Sequence, residues 1–273
     1  MASLKTASPP AVDRAFAILE EVARSSRGLR LPEMVYRLGL PKSSTHSLLV
    51  ALERRGYLQR NTTTSRYQFG PKIFALANAG LKGMALRELS YPILAALMRQ
   101  TGLIVHMAIM DRDHAVLIEQ IAPMGELAPM FWLGERLELH CTALGKALAA
   151  FEPEAQWTRF ARGNGGLHRH NDNTVCSSRR FLDDLATARK RGYALDDEEV
   201  DLGVRCLGVP VFGPAGQAVA AISVSGSCMA VSAENSVTLV KLLSNAAAQI
   251  GKALAASAAN GAAEAEAGDD AEE

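Results

Sequence analysis

Apolar residues recur with helical spacing along the first third of the chain. Val12, Ala15, Phe16, Leu19, Val22 and Ala23 fall at i, i+3, i+4 and i+7 positions, which predicts a helix over 12–24. A short helix follows over 32–38, Gly39 and Leu40 make a turn, and a second amphipathic helix runs from Pro41 to Arg55. Leu48, Leu49 and Leu52 carry its buried face, and Gly56 ends it. Two β-rich runs come next, Tyr57–Arg60 and Arg66–Phe69, around a polar NTTTS tip. Helix, turn, helix and hairpin in this order is the layout of a winged helix-turn-helix, a module that reads double-stranded DNA.

Residues 72–89 predict another helix, with Gly80 and Gly83 as soft points, and read as a linker between domains. Tyr91-Pro92 is expected to break it, and a further helix over 92–100 stops at Gly102. The period then changes to two. Ile104–Met110 and Ala115–Ile121 read as strands about an Asp111–Asp113 turn, with a third expected over Met130–Leu133. Thr142 can cap a helix running to Phe151, residues 162–176 read as loop, and Ser177–Arg191 as helix. Leu207–Ser225 predicts a hairpin around GPAGQ, followed by a last helix over roughly 233–256. Residues 1–8 and the Ala/Glu-rich stretch 256–273 are expected to be disordered.

Charge sharpens the DNA reading. The net charge is zero over 273 residues, but residues 1–90 hold 14 Lys/Arg against 6 Asp/Glu, a net of +8. Residues 256–273 hold six acids and no base. A basic first third carrying a helix-turn-helix pattern suits a polyanion. No apolar run reaches the roughly 18 residues of a membrane span, and the N-terminal stretch has no apolar signal region, so a cytoplasmic protein is expected. Cys141, Cys176, Cys206 and Cys228 are widely spaced and form no CxxC pair, which fits free thiols.

A recognition helix meets DNA by its N-terminal end. Here that end offers Lys42 for a phosphate and the small hydroxyl residues Ser43, Ser44, Thr45 and Ser47 for phosphates or base edges. In the wing, Arg60 and Arg66 flank the tip and can reach the backbone or minor groove.

With VDRAFAILEEVA, LGLPKSSTHSLLVALERRGYL, LHCTALGKALAAF and GYALDDEEVDLGVRCLGVPVFGPAGQAVAAISVSG in this order, the chain resembles the IclR family of bacterial transcriptional regulators over about residues 10–255. The resemblance implies an α+β protein. Its parts would be an N-terminal winged helix-turn-helix (8–70), a dimerising linker helix (71–90), a C-terminal GAF-like effector-binding domain (91–255) with a curved antiparallel sheet flanked by helices, and the acidic tail (256–273). It also implies a ligand-responsive repressor or activator that is not an enzyme, works as a homodimer or homotetramer, and needs no cofactor or metal. In family members that bind small 2-oxo acids, the positions matching Ala143, Leu144, Asp196, Cys206, Ser223 and Ser225 line the pocket, which implies a small organic or aromatic acid as effector. One departure stands out: the family often has an arginine where this chain has Ser47.

Residue chemistry points the same way. Ser223 and Ser225 share one face of a strand, and the helix start after Thr142 offers free N–H groups to an anion. Two alternatives stay open. His106, His140, Cys141, Asp196 and Cys206 can be read as ligands of a metal or as part of a thiol-redox sensor, although their spacing matches no short zinc motif. Cys206 can also be read as the nucleophile of a hydrolase, although no histidine lies within its segment.

Overall fold

The computed structural model describes residues 10–82, 84–124, 131–162 and 166–269. The chain divides into two compact units, Met1–Gly83 and Met84–Glu273. The expectations for residues 1–8 and for Met130 fall outside the described residues, as does the end of the tail.

The first unit contains α1 (Pro10–Ala23), α2 (Leu31–Leu38), α3 (Lys42–Arg54), the hairpin β1 (Leu58–Arg60) and β2 (Tyr67–Phe69), and α4 (Pro71–Lys82). Its core is small: Ile18, Val22, Leu29, Met34, Leu49, Leu58 and Tyr67 are buried together, so one face of each helix and the hairpin close on one another. Gly39 ends α2 at φ 63°, a left-handed conformation that a side chain disfavours, and this sets the turn into α3. Glu21 binds α1 to α2 through a 2.8 Å ion pair with Arg37, which with Arg24 holds its carboxyl below the usual carboxylate range.

The second unit opens with α5 (Ala85–Thr101), then β3 (Ile104–Asp111), β4 (His114–Ile121), β5 (Arg136–Leu137), α6 (Ala143–Phe151), α7 (Glu154–Arg162), α8 (Ser178–Arg191), β6 (Ala194–Asp197), β7 (Val204–Phe212), β8 (Ala218–Ser227) and α9 (Ala233–Asp269). The strands form one antiparallel sheet in the order β5-β4-β3-β8-β7-β6, bent by irregularities at Met107/Ala108 and Val211/Phe212. Alternation divides its residues between two cores. Val105, Met107, Leu207, Val209, Ile222 and Val224 pack with α5 and α9, whereas Ala108, Ala115, Leu117 and Ala221 pack with α6, α7 and α8. The expected α+β architecture with a curved, helix-flanked antiparallel sheet is the one the chain adopts.

Several elements differ from the sequence expectation. The stretch 71–90 is not one helix: α4 ends at Lys82, Met84 caps α5, and Pro92 lies inside α5 rather than ending it. Pro92 faces solvent while Leu94 and Leu97 are buried, so packing on the sheet outweighs the helix-breaking cost of the proline. Residues 131–133 are not strand, and the short pairing to β4 is made instead by β5. Both α7 and β6 went unpredicted. The tail expected to be disordered from 256 continues α9 through Asp269, in keeping with the high helix propensity of its Ala/Glu composition. Among the described residues no helix is long and apolar enough to cross a membrane.

Candidate functional site

The start of α3 is the first candidate site. Its register is fixed by Leu49, which is buried, and by Thr45, which is equally buried. Lys42, Ser43, His46, Ser47 and Val50 are exposed, and their spacing of three to four residues places them on one face. Ser47 Oγ donates to the Ser43 carbonyl at 3.1 Å, a bond it can exchange for a ligand contact.

Three residues expected at a DNA interface are used otherwise. Thr45 Oγ1 donates to the Pro41 carbonyl at 3.0 Å inside the core and cannot reach a base. Ser44 is half-buried and faces α1, where Arg14 Nη1 approaches its hydroxyl at 3.5 Å. Arg66 forks onto both carboxylate oxygens of Glu33, at 3.0 and 3.1 Å, and donates to the Gly28 carbonyl at 2.7 Å, so it fastens the wing to α2. Arg60 is exposed beside the wing tip, its guanidinium 3.1 Å from Ser65 Oγ. His46 is not among the residues the sequence singles out, and its phase relative to Leu49 is the signal that sets it on the exposed face.

The second candidate site is a 360 Å³ cavity in the second unit, under the N-terminus of α6. All six residues expected there line it: Ala143, Leu144, Asp196, Cys206, Ser223 and Ser225. Sheet register explains the convergence. Asp196 on β6 is directly opposite Cys206 on β7, Cys206 is opposite Ser225 on β8, and Ser225 is opposite Ile104 on β3. One rung away, Ser223 is opposite both Gly208 and His106. Antiparallel partners point to the same face, so these polar side chains form a patch on the side that carries α6.

α6 closes the cavity from above. Thr142 Oγ1 accepts from the Gly145 N–H at 3.0 Å and donates to the Glu138 carbonyl at 2.7 Å, which caps the helix. The N–H groups of Ala143 and Leu144 stand at the first turn, where the helix end favours an anion. The close approach requires a glycine beneath: a Cβ on Gly208 would sit 2.6 Å from the Ala143 carbonyl oxygen.

The cavity groups are electrically unusual. Burial pushes the Asp196 carboxyl up to about 7, with Glu199 adding to the shift. Opposing it, Asp196 Oδ1 accepts from the Glu199 N–H at 2.9 Å. Burial pulls His106 down to about 4, with the Gln120 side chain acting against the shift, so its imidazole is neutral. His106 Nε2 is buried and has no hydrogen-bond partner among the described residues. Cys206 Sγ donates to Ser225 Oγ at 3.2 Å, and burial with the Asp196 charge pushes its thiol up. Burial does the same at Cys141. These shifts run opposite to those of a reactive thiolate, which weighs against both the hydrolase and the thiol-redox alternatives. His106 and the wall residue Phe131 went unrecognised as cavity residues in the sequence; a lone polar residue in an apolar strand was the only hint for His106.

Lys146 holds the far wall. Its buried ammonium donates to Glu199 at 2.5 Å, Asp184 at 3.1 Å and the Leu195 carbonyl at 3.2 Å, which ties α6 to the segment carrying Asp196.

Residues 78–252 match the family described as bacterial transcriptional regulator IclR C-terminal, and residues 11–62 match the IclR helix-turn-helix domain. The chain is 34% identical over 223 residues to the transcriptional repressor IclR of Escherichia coli strain K12, covering 81% of each chain. The Thermotoga maritima IclR crystal structure superposes with a TM-score of 0.72 at 28% identity, covering 89% of this chain and 98% of that one. An IclR homolog from Microbacterium hydrocarbonoxydans, complexed with 4-hydroxybenzoate, shares the fold at a TM-score of 0.77 and 20% identity, covering 90% of this chain and 99% of that one.

Proposed function

This chain belongs to the IclR family of bacterial transcriptional regulators, and on that premise we propose that a small carboxylic acid in the cavity under α6 switches how a homo-oligomer of the chain engages its operator. The protein is a DNA-binding regulator of transcription, in a family of regulators rather than enzymes.

The observation that carries the ligand reading is the convergence, in one cavity, of a helix N-terminus, two serine hydroxyls and a buried imidazole nitrogen that has no partner among the described residues. Hydroxyls and helix N–H groups donate to a carboxylate, and such charge-assisted bonds are the stronger kind. Leu103, Leu137, Phe131 and Val204 make an apolar part of the remaining wall, which Asp201 and Ser227 also line, and the volume suits one aromatic ring. 4-Hydroxybenzoate is therefore the first probe: calorimetric binding together with a changed affinity for a duplex selected from a random pool supports the reading. Absence of binding across small and aromatic acids overturns it.

Asp196 gives that binding a pH signature. Protonated, its carboxyl donates a hydrogen bond; ionised, it repels a carboxylate. Its folded pKa is raised to about 7, so the favourable form is present below 7 and lost as pH rises through it. Calorimetry should find binding about tenfold weaker at pH 8 than at pH 6, and Asp196→Asn should flatten the profile.

On the DNA side, Lys42 takes a phosphate, Ser43, His46 and Ser47 face bases, and Arg60 reaches along the wing. The exposed stripe on α3 and the +8 charge of residues 1–90 support this assignment. Lys42→Ala should weaken binding to all duplexes alike and reduce the slope of log K against log salt by about one unit. Band-shift titrations over a salt series read this directly.

Assembly rests on α4, which exposes Phe74 and Leu76 beside Ile73 and Ala77. Two-fold operators mirror two-fold proteins. Light scattering should find at least a dimer at micromolar concentration, and Phe74→Glu should shift it toward monomer.

A further inference from the structure

A second polar cluster lies beside the cavity, where the loop 167–174 crosses the segment leading into α6. Glu138, His168 and His170 each present one ligand atom there, and the three atoms lie within 4.8 Å of one another. His170 Nε2 is 2.5 Å from Glu138 Oε2. The two imidazole rings stand nearly perpendicular, with centroids 4.8 Å apart. We propose that these three residues form a site for a borderline divalent transition metal of the zinc class, with water completing the coordination.

The donor set decides the class. Two imidazoles and one carboxylate suit zinc and its neighbours, whereas magnesium and calcium prefer oxygen ligands throughout. Donors about 2.0 Å from a tetrahedral zinc stand about 3.3 Å apart, so side-chain rotation must part His170 Nε2 from Glu138 Oε2, now 2.5 Å apart, and draw in any spacing wider than that, none of which exceeds 4.8 Å. The ligands are reachable, since both histidines are exposed and Glu138 is half-buried. Arg169, between the histidines, pairs with Asp172 at 3.1 Å.

The surroundings hold these ligands in place. The His140 ring contacts the His168 carbonyl at 2.9 Å, and Cys141 Sγ donates to Glu138 Oε2 at 3.5 Å. The loop itself is anchored: Asn171 donates to the Glu198 and Val200 carbonyls, and Thr174 Oγ1 to the Glu199 carbonyl. Outer contacts of this kind fix ligand orientation in metal sites. They also give the site a consequence. The Glu138 carbonyl receives the Thr142 hydroxyl that caps α6, and the loop carries the segment bearing Asp196. A bound metal fastens two walls of the effector cavity together.

The test uses the full chain after chelator treatment and dialysis, titrated calorimetrically with zinc chloride, with magnesium chloride as the control. One zinc per chain is expected, with a rise in Tm, and no heat from magnesium. His168→Ala and His170→Ala should each weaken zinc binding by at least about 100-fold, the upper end of what losing a mere outer-shell partner costs. Both histidines are exposed, so metal-free circular dichroism should match the parent chain. Unchanged zinc affinity in the double variant overturns the proposal. So does loss of binding in His140→Ala with Cys141→Ala equal to that in the histidine pair, or no zinc uptake by the parent chain at 100-fold molar excess.

Discussion

Replacing Ser223 and Ser225 together with alanine should abolish the effector response while leaving operator affinity in the absence of effector unchanged. Each hydroxyl can supply a hydrogen bond to a charged oxygen, worth about 1.5–3 kcal/mol. Losing both weakens a carboxylate by at least about 100-fold. The two serines are buried, so the loss is not refilled by bulk water, and the substitution removes only one oxygen from each. Ser225 also accepts the Cys206 thiol, whose donor is left free, which adds to the loss at this position. The measurement is operator affinity with and without 4-hydroxybenzoate, in both proteins. A double variant that responds like the parent chain places the effector elsewhere.

The second large effect is at Lys146, whose substitution by alanine should destabilise the second unit by about 3–5 kcal/mol, because it strands a buried Glu199 carboxylate. Trp132 and Trp157, the chain's two tryptophans, both belong to this unit, so urea titration followed by fluorescence reads its unfolding. Removing both charges, as Lys146→Met with Glu199→Leu, should return most of the stability, since an apolar pair of similar size avoids the desolvation of the ions. Ligand affinity should not return with it. Asp196 is held by the Glu199 backbone, and Lys146 fixes the Leu195 carbonyl beside it. A double variant that is stable but binds poorly separates Lys146's positioning role from its contribution to folding. Equal recovery of both would reduce the ion pair to a structural tie.

Local pattern made the helix-turn-helix readable. The 3.6-residue spacing of apolar residues, the Gly39 turn and the two short runs about NTTTS each point to one element, and together they leave one arrangement. The hairpin β7–β8 was equally plain, since two short Val-rich apolar runs are joined by the GPAGQ turn. The six cavity residues followed from the family resemblance, and Ser223 and Ser225 alone could be paired from strand alternation. Asp196 could not be placed this way, because β6 is four residues long and too short to display a period.

What the chain determined by itself was which segments are helix or strand and which residue types stand at the start of α3. Tertiary structure decided which of them face outward. Within one helical turn, Thr45 and His46 differ by about 100° of rotation, and only docking of α3 on α1 and α2 sent Thr45 into the core and His46 to the surface. Arg66 looked free to meet DNA until folding brought Glu33, 33 residues away, within reach of its guanidinium. The cavity, the buried His106 nitrogen and the Glu138–His168–His170 cluster arise in the same way. Each joins residues distant in sequence, and sheet register and loop anchoring, which no local period encodes, bring them together.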